Sequence, residues 1–474
     1  MLIAAGVAYV LGIFGGLGSL ESPALVVVAV IALVHMIRFA DPAWLISLGI
    51  VASMFSGHWV DLGLSTTIVP DRVLIVAGVA AVLLRLGPSR DRPPLELRPV
   101  HLALAAAFTF ALVSMFAVQT TGNRAAVFGL IDQFGLFPFL VFAIAPTVFR
   151  TEKARRILLG TLIASGAYLS LTALFEKLKL NGLIWPDYIT NPWIGLHFGR
   201  SRGPFAEAVA NGLALYACAV AAGIAFVMWR RPAHKAFAAA LCALCLVGVE
   251  LTVTRAVWLG AIVATAMVIV VARPLRRFIV PAVAGGVCIV LAAFALIPGL
   301  ATQAHDRQKD QSPVWERRNS NAAALRMIAD RPLVGVGWYR HNESAEPFFR
   351  MNPGFPLSGE RAGMHNVFLT YAVDLGLVGF GLWLLAAALA FGGAMRGRAP
   401  PGLRPWRIGL GAVVACYIVS GVAGPLEYVY PTLLAWTWAG VAYGRRGADV
   451  SEAQAVSAGG LGRDDLERLP GKLA

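Results

Sequence analysis

The chain has 474 residues, 58% of them hydrophobic and 14% charged, with a mean hydropathy of +0.70 and a formal net charge of +14. A soluble chain carries roughly a quarter charged residues, and here apolar runs of about 18–22 residues follow one another from end to end. A soluble globular protein is excluded, as is a β-barrel, which needs short alternating segments; the surplus of Lys and Arg points to membrane topology rather than nucleic acid, because many of these residues sit in short loops between apolar runs.

The composition predicts an all-α polytopic membrane protein with about 14 transmembrane helices, within a range of roughly 12–14. The first run, "MLIAAGVAYVLGIFGGLG", lacks a basic leader and is followed by further spans, so it is expected to be a retained helix. Spans are then expected near 22–40, 43–57, 70–87, 101–119, 126–148, 157–176, 206–229, 236–253, 256–272, 278–298, 366–394, 407–424 and 426–444. Asp132 and Gln133 are polar groups inside one of them. Basic clusters at Arg90/Arg92/Arg98, Arg150/Lys153/Arg155/Arg156, Arg230/Arg231/Lys235, Arg273/Arg276/Arg277 and Arg396/Arg398/Arg404/Arg407 all fall on one side of this arrangement. That side is read as cytoplasmic, with both termini. The expected organisation is 1–298 as transmembrane helices with Arg-bearing outer turns, 299–365 as a large extracytoplasmic loop, 366–444 as C-terminal spans and 445–474 as a mobile cytoplasmic tail.

The five cysteines all lie in apolar runs; Cys242 and Cys245 form a CxxC about one helical turn apart, which reads as packing rather than redox chemistry. In the large loop, Val314, Ala322, Leu325, Met327 and Ile328 recur at helical spacing, predicting an amphipathic helix over 314–329. "PLVGVGW" is a turn, since it lacks the third glycine and the βαβ setting of a nucleotide loop. His305 and His341 read as plain loop residues.

Outer arginines need a reason other than topology. "HFGRSRGPFAEAVANG" sets Arg200 and Arg202 just before a span, and "ELTVTRAVWLG" sets Arg255 in a tight outer turn. An arginine at a membrane boundary calls for a partner. Glu207 and Glu250 are the nearby carboxylates; an anionic ligand is the other candidate, because guanidinium matches phosphate oxygens with a permanently charged fork. At the end of the large loop, "GMHNVFLTYAVDLGLVG" puts His365 and Asn366 where water gives way to lipid. A histidine titrating near neutrality is suited to take a proton from a hydroxyl.

The ordered series "RGPFAEAVANGLA", "TRAVWLG", "ALRMIADRPLVGVGW" and "HNVFLTYAVDLGLVG" resembles the O-antigen ligase and O-antigen polymerase superfamily over about half the chain, from near 195 to 380. The resemblance implies a GT-C-like glycosyltransferase of the bacterial cytoplasmic membrane. Such an enzyme moves a glycan from undecaprenyl pyrophosphate to a glycan or glycolipid acceptor at the outer face, with inversion and without metal or cofactor. By motif, Arg202 matches the first family arginine and Arg255 the second, both on the donor pyrophosphate, with Arg200 the neighbouring alternative. His365 matches the histidine that acts on the acceptor hydroxyl. Glu207, Asn211, Asn366 and Glu427 are candidates for acceptor binding or for orienting the histidine. "FAEAVAN" departs from the family, which often has His-Pro before the asparagine. Ligase and polymerase activities both remain open, and a lipid-linked glycan transporter is the third class, although intramembrane polar groups concentrated at one face favour surface chemistry.

Overall fold

The computed structural model describes residues 23–64, 69–85, 98–271, 276, 279–296, 299, 302, 305, 312–349, 363–397, 402–424 and 426–444. The expected span at 1–18 and the tail 445–474 lie outside the described residues, as do Arg90, Arg92, Arg273, Arg277 and Arg398 among the loop arginines used for sidedness. The described chain is an all-helical, polytopic membrane protein. Seven helices are long and apolar enough to cross a bilayer: Pro99–Ala117, Arg124–Val148, Glu152–Leu178, Ala208–Met228, Pro232–Leu251, Val367–Met395 and Arg404–Val422. The other expected spans in the described residues are also helical, at Pro23–Phe39, Pro42–Ala52, Pro70–Arg85, Arg255–Val271, Ile279–Leu296 and Val429–Tyr443. All are shorter than the roughly 20 residues that span a bilayer without thinning it.

Prolines open many of these helices. Pro23, Pro42, Pro70, Pro99 and Pro232 each occupy the first helical position, where the missing N–H costs nothing and the fixed φ is already helical. Asp41 caps the second, its side chain accepting from the Ala43 amide at 2.9 Å.

The helix Ala208–Met228 is the most completely buried of the seven and packs against Glu152–Leu178, Pro232–Leu251, Arg404–Val422 and Val429–Tyr443. Its run of alanines, with Gly212 and Cys218, lets backbones approach closely. A Cβ placed on Gly166 would come 2.9 Å from the Cys218 Cβ and 3.1 Å from the Cys245 sulfur. These cysteines are free thiols and fill a three-helix crossing. Asp132 lies in a π-helical turn, Gly129–Phe134, and is held by Arg72 at 2.6 Å through Nη2 and 3.2 Å through Nε. The intramembrane acid is therefore a paired group.

The helix beginning at Val367 opens at Gly376, where φ is +65° and ψ −176°, a conformation essentially confined to glycine. The loop after the helix Ser312–Asp330 enters this opening. Val336 and Gly337 donate to the carbonyls of Val373 and Asp374 at 2.9 and 3.0 Å, while Leu377 and Val378 donate to Pro332 and Leu333 at 2.7 and 3.2 Å. "PLVGVGW" is thus a turn, one that completes the backbone bonding of an interrupted helix. The two chains pass so closely that a Cβ on Gly376 would collide with the Leu333 carbonyl, and one on Gly335 with the Val373 carbonyl.

Gly376→Ala meets backbone on one side and a forbidden φ on the other. It is expected to destabilise the protein by about 2–3 kcal/mol, read as a lowered thermal midpoint in detergent. Gly381→Ala, with open space around the added methyl, should leave the midpoint unchanged or raise it slightly.

Candidate functional site

Three helix ends meet at the turn 200–206. Ser201 donates its amide to the Leu251 carbonyl at 3.1 Å and its hydroxyl to Ala173 at 2.9 Å. Asn211 donates to the Ser201 carbonyl at 3.2 Å. Glu176, at the end of Glu152–Leu178, accepts from the amides of Arg202 and Gly203, each at 3.1 Å. Gly203 has φ +53°, and an added Cβ there would stand 2.6 Å from Asn211 Oδ1, so the close approach of Asn211 needs a glycine. The Ser201–Leu251 bond ties this turn to the turn 252–254, where the β-branched Val253 is held at φ +47°. Arg255 follows as the first residue of its helix.

Hydrogen bonding separates the arginines. Arg202 is 1% exposed; its two Nη atoms donate to the carbonyls of Ile194 (2.6 Å), Ile189 (2.8 Å) and Asn191 (3.1 Å), and its guanidinium lies 4.9 Å over the Phe198 ring. Its fork staples the loop 189–194. Arg200 is buried with Nη2 lacking a partner. Arg255 is exposed and makes no hydrogen bond or ion pair among the described residues. Arg200 and Arg255 therefore keep free terminal donors, whereas Arg202 keeps only its Nε unpartnered.

His365 is half-buried just before the helix that Asn366 caps, Asn366 Oδ1 accepting from Phe368 and Leu369 at 3.1 and 3.2 Å. His365 Nδ1 donates to the Gly363 carbonyl at 2.5 Å. In the neutral ring this bond leaves the lone pair on Nε2. Burial pushes the His365 pKa below its ordinary value, and the charges of Arg317 and His197 push the same way, against the Gly363 bond and Glu316. The ring is thus kept neutral, with Nε2 available as a base.

Two histidine–carboxylate pairs escaped the sequence. His197, in a left-handed conformation at φ +59°, bonds through Nδ1 to Glu207 Oε1 at 3.3 Å; Glu207 Oε1 also caps the helix Ala208–Met228 by accepting from Val209 at 3.2 Å. His341 is no plain loop residue: it is buried, with Nδ1 2.9 Å from Asp374 Oδ2 and its amide donating to Asp374 Oδ1 at 2.9 Å. The signal for it was Asp374 itself, a lone acid in an apolar run. Burial alone would lower the His341 pKa, but the charge and hydrogen bond of Asp374, with Glu427 beyond, raise it to about 9. Burial pushes the Glu427 carboxyl up against the pull of His341, and the Tyr428 phenol is raised by burial and then by the charges of Glu207 and Glu427. Glu427 thus feels the His341–Asp374 pair, and Tyr428 feels both Glu207 and Glu427. No direct hydrogen bond joins Arg200, Arg255 and His365 among the described residues, and no three His, Cys, Asp or Glu side chains there are grouped to hold a metal ion.

Residues 240–384 match the family model Wzy_C, described as O-Antigen ligase. The chain carries an O-antigen ligase domain. The match takes in Arg255, His365, Asn366, His341 and Asp374, while Arg200, Arg202, Glu207 and Asn211 precede it and Glu427 follows. The matched stretch is about a third of the chain. No curated protein matches the chain.

A histidine whose pKa is raised by folding stabilises fully below its unfolded value of about 6.5 and loses that contribution as pH climbs through the folded value. The thermal midpoint of the O-antigen ligase domain protein should therefore fall between about pH 6.5 and about 9. Asp374→Asn should lower the midpoint at neutral pH and flatten this slope, measured by thermal unfolding in detergent across the pH range.

Proposed function

We propose that the protein transfers a glycan from undecaprenyl pyrophosphate to an acceptor hydroxyl at the outer face of the bacterial cytoplasmic membrane, as a ligase. The observation that carries this is the pairing of a neutral His365, its Nε2 left open by the Gly363 bond, with the unpartnered guanidinium of Arg255 in one O-antigen ligase domain. The donor pyrophosphate is bound by Arg255 and Arg200, whose free donors suit phosphate oxygens. Arg202 positions the outer loop through its carbonyl partners and supports the site without touching the phosphate.

The acceptor hydroxyl gives its proton to His365 Nε2 and its oxygen attacks the anomeric carbon. The bond from that carbon to the pyrophosphate oxygen breaks, and the negative charge on the leaving oxygen is stabilised by the guanidinium groups. A single displacement inverts the anomeric centre. Asn366 caps the helix that carries the histidine, and Glu427 sits beyond His341.

His365→Ala is expected to lower transfer by about 10²–10⁴-fold while affinity for undecaprenyl pyrophosphate stays unchanged. Arg255→Lys should lose both affinity and rate, because the ammonium keeps the charge but not the fork. The lowered His365 pKa puts the acid limb of the rate below about pH 6.5, and Arg317→Gln should move that limb upward by removing a charge that lowers it. Unchanged transfer in His365→Ala would refute the base. In cells lacking the protein, full-length chains retained on lipid carrier indicate a ligase; single repeats on carrier would make it a polymerase.

A further inference from the structure

In the turn 197–211, the side chains left without partners are of both hydrogen-bonding kinds. Arg200 Nη2 is a buried donor and Glu207 Oε2 a buried acceptor, and neither is satisfied. Phosphate oxygens accept only, so a phosphate answers Arg200 and is repelled by Glu207. A sugar hydroxyl can donate, so it answers Glu207 Oε2 where a phosphate cannot, and Arg200 is left to the donor phosphate. His197 stands beside them with 40% of its side chain exposed. Its Nδ1 bond to Glu207 directs the other ring nitrogen, Nε2, away from the carboxylate. Phe198, the next residue, is 56% exposed; Arg202 lies over its ring on one side, and an open aromatic face packs against the C–H face of a saccharide.

The local backbone is fixed for this purpose. A histidine at φ +59° is a conformation that L-residues adopt at a cost. It is held by Leu196 donating to Ala206 at 2.9 Å and by the three carbonyls that Arg202 gathers from the same loop. The charge of His197 also acts on His365, which places the two rings on the same side of the protein's polar site.

We propose that His197, oriented by Glu207, forms with Phe198 a saccharide subsite that binds the acceptor glycan next to the hydroxyl His365 deprotonates. The inference rests on the transfer reading of His365 and Arg255, and it divides the site. Arg255 and Arg200 take the anionic pyrophosphate, while the His197–Glu207 pair takes neutral hydroxyls. His197 binds and orients without itself accepting the reacting proton.

The test is saturation-transfer NMR on the detergent-solubilised full chain, with methyl glycosides of glucose, galactose, rhamnose and N-acetylglucosamine as probes. Undecaprenyl pyrophosphate binding is measured separately on the same preparations. The wild type should bind at least one glycoside. His197→Asn, which tolerates the left-handed backbone, should weaken that binding by about ten-fold, the effect of one hydrogen bond with its geometry. Glu207→Gln keeps the helix cap and should weaken glycoside binding less. Undecaprenyl pyrophosphate affinity should hold in both variants and drop in Arg255→Ala. If no glycoside binds the wild type, or if His197→Asn and Glu207→Gln bind it as well as the wild type does, the subsite is refuted. Loss of undecaprenyl pyrophosphate in His197→Asn with glycoside binding intact would move His197 to the donor and also refute it. Full affinity for undecaprenyl pyrophosphate in Arg255→Ala would instead overturn the donor assignment and leave the glycoside result to stand or fall by itself.

Discussion

An α-helix that opens inside an apolar run must hand its freed amides and carbonyls to other protein groups, because lipid offers none. At Gly376 the helix Val367–Met395 does this by admitting the segment 332–341. Asp374 then accepts three further bonds, from the amides of Tyr339 and His341 and from the His341 ring. The inserted segment is also fastened elsewhere. Trp338 donates through its indole to the Ala126 carbonyl at 2.9 Å, and Arg340 donates to Val118 at 2.7 Å. One helix interruption thereby locks the large loop to Pro99–Ala117 and Arg124–Val148. His365, at the head of the interrupted helix, inherits that rigidity.

The second half of the site depends on short hydrogen bonds between helix ends rather than on a broken helix. Glu176, Ser201 and Asn211 fix the turn that carries Arg200 and Arg202, and the Ser201–Leu251 bond carries the same order to Arg255. Removing Glu176 would free two buried amides at once, each an expensive loss where water is scarce. Between neighbouring arginines of one short motif, the difference is made by the carbonyls of Ile189, Asn191 and Ile194, which occupy Arg202 and leave Arg200 open.

The helices were legible because their cause is local. Apolar run length gave Glu152–Leu178 and Ala208–Met228 within a few residues and put the start of a span beside Val367, while the helix expected from 236 begins at Pro232, ahead of its apolar run. Arg255 and His365 stood out because each is polar at an apolar boundary. What sequence could not supply is the partnering across distance: Glu176 with Gly203, His341 with Asp374, Arg202 with three carbonyls of its own loop. Such bonds join residues that share no periodicity. The Glu207 that departs from the family pattern gained meaning only when the loop brought His197 to it.

The two kinds of anchoring have a mechanical corollary. Arg200 rides on the turn that joins the ends of Glu152–Leu178, Ala208–Met228 and Pro232–Leu251, and Arg255 heads the helix Arg255–Val271, whereas His365 rides on a helix braced by Pro99–Ala117 and by the loop fastened to Arg124–Val148. Each assembly is stiff within itself. A change in the angle between them would alter the distance from proton acceptor to leaving group while disturbing neither grip. Thickness of the surrounding bilayer acts on helix tilt, so under the proposed transfer reaction the membrane itself becomes a lever on turnover.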